Sequence, residues 1–126
     1  MGQKVNPIGM RLALTRDWKS RWYANKQDFG NLLKEDNLLR KIVFKKLEDA
    51  AVSDIYIERY ANRVRITVKT ARPGIVIGRK GEDIETLKTE LSRVTKKEVF
   101  VEISEINNPD LDATLVARNV AMQLER

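Results

Sequence analysis

Two glycines three positions apart, with a cation at each place between them, stand at Gly78-Arg79-Lys80-Gly81. A glycine has no Cβ, so it takes backbone angles that other residues resist and lets another chain approach closely. Arg79 and Lys80 put positive charge at the same spot, and Arg72 adds a third cation shortly before it. The chemistry open to such a cluster is electrostatic rather than covalent: a sugar-phosphate strand laid against a bare, cationic loop. The apolar run Ile75-Val76-Ile77 leads directly into the loop. At least two of its three side chains are expected in a core, leaving one, with Ile77 next to the loop, to line a groove where bases rest.

Positioning this loop requires a helix on either side. Pro73 suits the first position of a helix, where its missing N–H costs nothing. Glu82, Asp83 and Glu85 fall in the first turn of the following helix, where acids complement the helix dipole. That second helix is predicted over about 81–94, with Ile84, Leu87, Leu91 and Val94 on its core face. A phosphate-binding P-loop is excluded by spacing, because Gly74 and Gly78 are separated by three residues rather than four and no Gly-Lys-Ser/Thr follows.

The remaining elements form a frame around that unit. Asp36 reads as the N-cap of a helix running to about Ala51, with Leu39, Ile42, Val43, Leu47 and Ala50 on one face and a short helical turn before it at 28–33. Two alternating runs, Asp54 to Tyr60 and Arg63 to Thr70, form an antiparallel hairpin through a turn at Ala61-Asn62, with Arg65 and Lys69 on a wet face and no site role. A third strand, Glu98 to Ile106, is reached from the second through two helices and so lies parallel to it if the two are neighbours. Asn108-Pro109-Asp110 reads as the start of a last helix with an apolar stripe of Ala113, Val116, Ala117, Val120, Ala121 and Leu124. Its period continues to Arg126, which predicts a longer parent chain.

Composition sets the class. With 42% hydrophobic and 33% charged residues, the 126-residue chain has enough apolar content for one core. It holds neither cysteine nor histidine, so the usual zinc ligand sets and the commonest general base near neutral pH are missing. No catalysis, metal or cofactor is expected. No apolar run approaches the roughly 18 residues of a membrane span, and residues 1–6 lack the apolar stretch of a secretory leader, so no membrane partner and a cytoplasmic location are expected. The net charge of +6 favours a polyanionic partner. Residues 1–26 hold six cations (Lys4, Arg11, Arg16, Lys19, Arg21, Lys26) against Asp17 alone, a net +5. They read as an extended basic arm, in which Trp18 and Trp22 either anchor the chain to the domain or stack on RNA.

The run Val76-Ile77-Gly78-x-x-Gly81-x-x-Ile84 resembles the signature of the K homology (KH) RNA-binding domain, in which a Gly-x-x-Gly loop clamps about four nucleotides by their backbone. The order helix, strand, strand, helix, Gly-x-x-Gly, helix, strand is similar to the type II, prokaryotic KH arrangement. The resemblance therefore implies an α+β fold: a three-stranded mixed sheet packed by helices, with a basic N-terminal arm (1–26), a KH domain (27–106) and an extra C-terminal helix (107–126).

A second resemblance covers the whole length. Met1-Gly2-Gln3-Lys4-Val5-Asn6-Pro7-Ile8-Gly9-Met10-Arg11-Leu12, then Arg16-Asp17-Trp18-Lys19-Ser20-Arg21-Trp22-Tyr23, and the ending from Asn108-Pro109-Asp110 to Arg126 are similar to the bacterial family of ribosomal protein three of the small subunit. That likeness implies a structural constituent of the ribosome bound to small-subunit ribosomal RNA near messenger RNA entry. It names ribosomal proteins ten and fourteen as neighbours and leaves messenger RNA open as a further partner. That family continues into a second α/β domain beyond the region matched here, so an unwinding role is not expected of this chain. The RNA-binding residues implied are Gly78, Arg79, Lys80, Gly81, Arg72 and Ile77, with Lys4, Arg11, Arg16, Lys19 and Arg21 of the arm. Two alternatives stand beside this reading: a KH module of another RNA-handling factor, and a protein-interaction scaffold in which the loop does not bind RNA.

Overall fold

The computed structural model describes residues 2–126. The element order is α1 (Pro7–Met10), β1 (Ser20–Arg21), α2 (Lys26–Lys46), β2 (Val52–Arg59), β3 (Arg63–Thr70), α3 (Pro73–Ile77), α4 (Glu82–Thr95), β4 (Glu98–Glu105) and α5 (Ala113–Glu125). The strands form one sheet in the order β1-β2-β3-β4. The hairpin β2/β3 is antiparallel, with Ile57 opposite Ile66, and β4 runs parallel to β3 over all eight positions, with Ile66 opposite Val101. The α+β arrangement expected of a type II KH domain is present, and the arm adds a fourth, two-residue strand to it by pairing parallel to β2.

Strand alternation divides the sheet into two faces, because successive side chains point to opposite sides. Ile55, Ile57, Val64, Ile66, Val68, Val99 and Val101 are buried beneath α2 and α4, which contribute Leu39, Val43, Leu47, Leu87 and Leu91. Each such aliphatic side chain contributes roughly 1.5–3 kcal/mol on burial. The opposite face stays open and carries cation-aromatic pairs instead: Lys69 over Tyr56, Arg65 over Tyr60 and Arg63 over Phe100.

Two helices differ from their sequence reading. The helix expected from Asp36 begins ten residues earlier, at Lys26, and absorbs the turn predicted at 28–33. Asp36 is not its N-cap. It lies inside α2 with 2% exposure, where it accepts bonds from Arg59 Nε (2.8 Å), Trp22 Nε1 (2.7 Å) and Ser20 Oγ (3.2 Å). The last helix is capped not by Asn108 but by Asp112, whose side chain accepts from the amides of Thr114 and Leu115. Its predicted stripe is not its packing face: Leu115 is the buried residue, and Val116, Val120 and Leu124 remain exposed. Arg118 replaces the stripe, donating to the Val52 carbonyl at 2.7 Å and lying over the Phe44 ring.

A register shift in β2 between Val52 and Asp54 leaves Ser53 turned inward and buried, and its hydroxyl donates to Asp112. Burial pushes the Asp112 carboxyl up, but bonds from Ser53, Leu115 and Thr114 and the charge of Arg16 outweigh it and hold the group below its ordinary range.

Candidate nucleic-acid interface

The loop is held from three sides. Upstream, Thr70 at the end of β3 is fully buried; its hydroxyl donates to the Ala50 carbonyl and accepts from the Arg72 amide at 3.0 Å. That pair sets the turn into α3, where Pro73 occupies the first helical position. A helix of five residues can bury only one side. Val76 is fully buried, whereas Ile75 and Ile77 are 46% and 43% exposed. The expectation that two of the three apolar residues join the core is therefore corrected: one does, and two flank the loop on the surface.

The Gly78 amide donates to the Gly74 carbonyl at 3.1 Å and closes α3. The backbone departs from ordinary angles at three of the four residues 78–81. Gly78 has φ +71° and ψ −169°, a combination essentially reserved for glycine, while Lys80 (φ +53°) and Gly81 (φ +79°) are left-handed. A Cβ on Gly78 would fall inside the Asp83 carboxylate, so this position is closed to any larger residue. A Cβ on Gly81 would meet nothing nearer than Ile84 at 3.9 Å; there the requirement is the backbone angle alone.

The outcome is an exposed cationic tip. Arg72, Arg79 and Lys80 are exposed, and none of them forms an ion pair among the described residues. Glu82, Asp83 and Glu85 follow in the first turn of α4. Lys88 neutralises Glu85 at 2.8 Å, and Asp83 lies against Gly78. Two unpaired cations thus stand at the apex with apolar Ile75 and Ile77 beside them, the combination that grips a phosphate chain and offers a surface to bases.

The arm is a separate part of the molecule, joined to the loop by no hydrogen bond or ion pair among the described residues. It is more structured than an extended arm. Asn6 caps α1 through the amides of Ile8 and Gly9. The Arg16 amide then donates to the Arg11 carbonyl at 3.0 Å in a compact turn, with Ala13 left-handed. Lys4, Arg11 and Arg16 are exposed and without carboxylate partners within ion-pair distance, and Arg11 donates to the Pro7 carbonyl at 3.1 Å. Lys19 is engaged by Asp54, and Arg21 by Asp17 and by Glu58 at 3.9 Å. Of the arm's five candidate cations, three are free of carboxylate partners among the described residues and two are tied down.

The tie is a buried polar knot that sequence reasoning missed. Arg59, 4% exposed, binds Asp36 and Glu35, and Asp36 also takes the Trp22 indole. Arg40 donates to the Lys19 carbonyl (3.0 Å), to Ser20 Oγ (2.7 Å) and to the Ile55 carbonyl. Burial lowers the Arg40 pKa, with Asp36 and Asp54 opposing. Trp22 is an anchor; Trp18, 61% exposed, is not. Among the described residues no group of three or more His, Cys, Asp or Glu is placed to hold a metal, and no helix is long and apolar enough to cross a membrane.

Comparison with known proteins bears on the same residues. A family model described as the KH domain matches residues 38–111, which include the whole loop. The chain is 58% identical over 125 residues to the small ribosomal subunit protein uS3 of Brevibacillus brevis, covering 99% of this chain and 56% of that protein. It is 53% identical over 126 residues to the uS3 of Azorhizobium caulinodans, covering all of this chain and 51% of the relative. For the uS3 of Desulfatibacillum aliphaticivorans the identity is 56%, with 58% of the relative covered. The chain spans a little over half the length of these curated relatives.

Proposed function

Because this chain belongs to the KH-domain family, we propose that it is a structural, non-catalytic constituent of the small ribosomal subunit and binds that subunit's ribosomal RNA. The observation that supports this most strongly is the overall identity above 50% to uS3 proteins in alignments that span 99–100% of this chain. The same breadth disfavours a KH module of an unrelated RNA-handling factor and an idle-loop scaffold.

Backbone contact dominates the binding. Arg79, Lys80 and Arg72 neutralise phosphates, Gly78 and Gly81 admit the strand, and Ile75 and Ile77 hold bases against the α3 surface. Lys4, Arg11 and Arg16 extend the charged track along the arm; Lys19 and Arg21, already paired, add less. The division into arm (1–26), KH domain (27–106) and terminal helix (107–126) follows these roles. A location on the ribosome in the cytoplasm, a place beside messenger RNA entry with messenger RNA as a second ligand, and ribosomal proteins ten and fourteen as neighbours belong to the same proposal.

A footprint of the 126-residue chain on small-subunit ribosomal RNA tests it. Protection of a discrete set of backbone positions, abolished when Arg79 and Lys80 are reversed in charge, is expected. Uniform, weak protection along the whole RNA overturns it.

A further inference from the structure

We propose that Trp18 stacks on an unpaired RNA base and, with Arg11 and Arg16, makes a second contact to single-stranded RNA on the arm, apart from the loop. The proposal deepens the RNA-binding reading and rests on it. The contact lies outside residues 38–111, so it is not a part of the KH unit.

The two tryptophans of the chain are used differently. Trp22 is taken up by the fold: its indole donates to Asp36 at 2.7 Å, its ring centroid lies 5.3 Å from that of Phe29, and the Arg59 guanidinium sits over it. Trp18 has none of these. Among the described residues its ring pairs with no other aromatic ring and no cation, its indole N–H finds no acceptor, and most of its surface is open to solvent.

The backbone beneath that ring is nevertheless fixed. The Trp18 amide donates to Asp17 Oδ1 at 2.8 Å. The next residue, Lys19, accepts at its carbonyl from the Ile57 amide (2.9 Å) and from Arg40 (3.0 Å), and its ammonium group binds Asp54. β1 follows at once. A base that stacks here meets a side chain whose main chain is already ordered, so association costs little beyond rotamer freedom.

Charge selects what covers the ring. In the turn just before Trp18, the Arg16 amide bonds to the Arg11 carbonyl and brings two arginines together. Neither guanidinium has a carboxylate within ion-pair distance among the described residues. Asp17, the acid between Arg16 and Trp18, is neutralised by Arg21. Asp112, whose carboxyl feels the charge of Arg16, is engaged by Ser53 and by the amides of Thr114 and Leu115. An apolar protein pocket closing over Trp18 would strip water from two unpaired guanidinium groups, a heavy cost without acids to meet them. Single-stranded RNA supplies a π-face for the ring and phosphates for the arginines together.

The experiment titrates the 126-residue chain with two probes, a single-stranded RNA decamer and an abasic decamer that keeps the phosphates and lacks the bases. Trp18→Ala should bind the RNA about tenfold more weakly, the loss of one stacked base, and Trp18→Phe should recover most of that affinity. Both variants should keep the parent's salt slope, thermal melt and affinity for the abasic strand, because the ring is uncharged and exposed. In the double variant Arg79→Asp, Lys80→Asp, saturating RNA should still quench the emission that Trp18→Ala removes, which separates this contact from the loop. Unchanged RNA affinity in Trp18→Ala, an equal loss on both strands, or self-association of the parent that Trp18→Ala abolishes would each overturn the proposal. If Trp18→Ala binds RNA like the parent while the loop variant does not, this contact alone falls; if the parent binds no RNA, the RNA-binding reading falls with it.

Discussion

The Asp83 carboxylate occupies the space that a Cβ on Gly78 would need. One residue of α4 thus fixes the shape of the loop that precedes it. Gly78→Ala should cost roughly 1–3 kcal/mol from backbone strain alone, with the clash against Asp83 added. In the background of Asp83→Gly, which removes the carboxylate and the Cβ at 2.7 Å together, the clash disappears and the strain stays. A double-mutant cycle in urea should therefore show a favourable coupling of about 0.5–3 kcal/mol between the two changes. Strict additivity would mean that Asp83 does not shape the loop.

The buried pair Arg59–Asp36 makes a second prediction. Both partners are almost wholly enclosed, so removing one leaves a buried charge without its counterpart. Asp36→Ala should destabilise the fold by about 3–5 kcal/mol and release the Trp22 indole, raising quenching of its fluorescence by acrylamide. Replacing both partners with apolar residues of similar volume should cost less than either single change. A single variant that melts like the parent, with Trp22 still shielded, would show that the knot does not hold the arm.

Acid should loosen α5 first. The Asp112 carboxyl is held below its ordinary value in the fold, and a depressed carboxylate pKa means stability that is fully present above the unfolded value and lost as pH falls through the folded one. The loss belongs to the window below about pH 4. Stability measured between pH 5 and 2 should fall less steeply for Asp112→Asn, which is the weaker fold at neutral pH. Equal slopes for the two proteins would remove Asp112 as a source of acid sensitivity.

The hairpin, the last strand and α4 were legible because each carries a strong period and packs by it; Leu87 and Leu91 are buried as their spacing requires. The loop was legible for a different reason, that glycines flanking two cations have little use in a core. What could not be read depends on partners distant in sequence. Asp36 has the chemistry of a helix cap and is used instead to bind Arg59, 23 residues away. The true start at Asn25 makes no side-chain cap bond, so it left no mark. β1 is too short to show alternation. The exposure of Ile75 was within reach: three successive apolar residues in a helix closed by glycine cannot all face one way.

RNA affinity as a function of salt, measured on the parent and on the double variant Arg79→Asp, Lys80→Asp, is the most direct test of the loop as a phosphate clamp. Both substitutions leave the fold intact in principle, since Arg79 and Lys80 are exposed and Asp tolerates the left-handed angle at position 80 better than most residues. The parent's affinity should fall steeply with salt, the variant should bind single-stranded RNA about tenfold more weakly or worse, and its log–log salt slope should be shallower by about 0.7 for each phosphate that the loop no longer neutralises. An unchanged affinity and slope, in a variant that melts with the parent, would contradict a clamp at this loop.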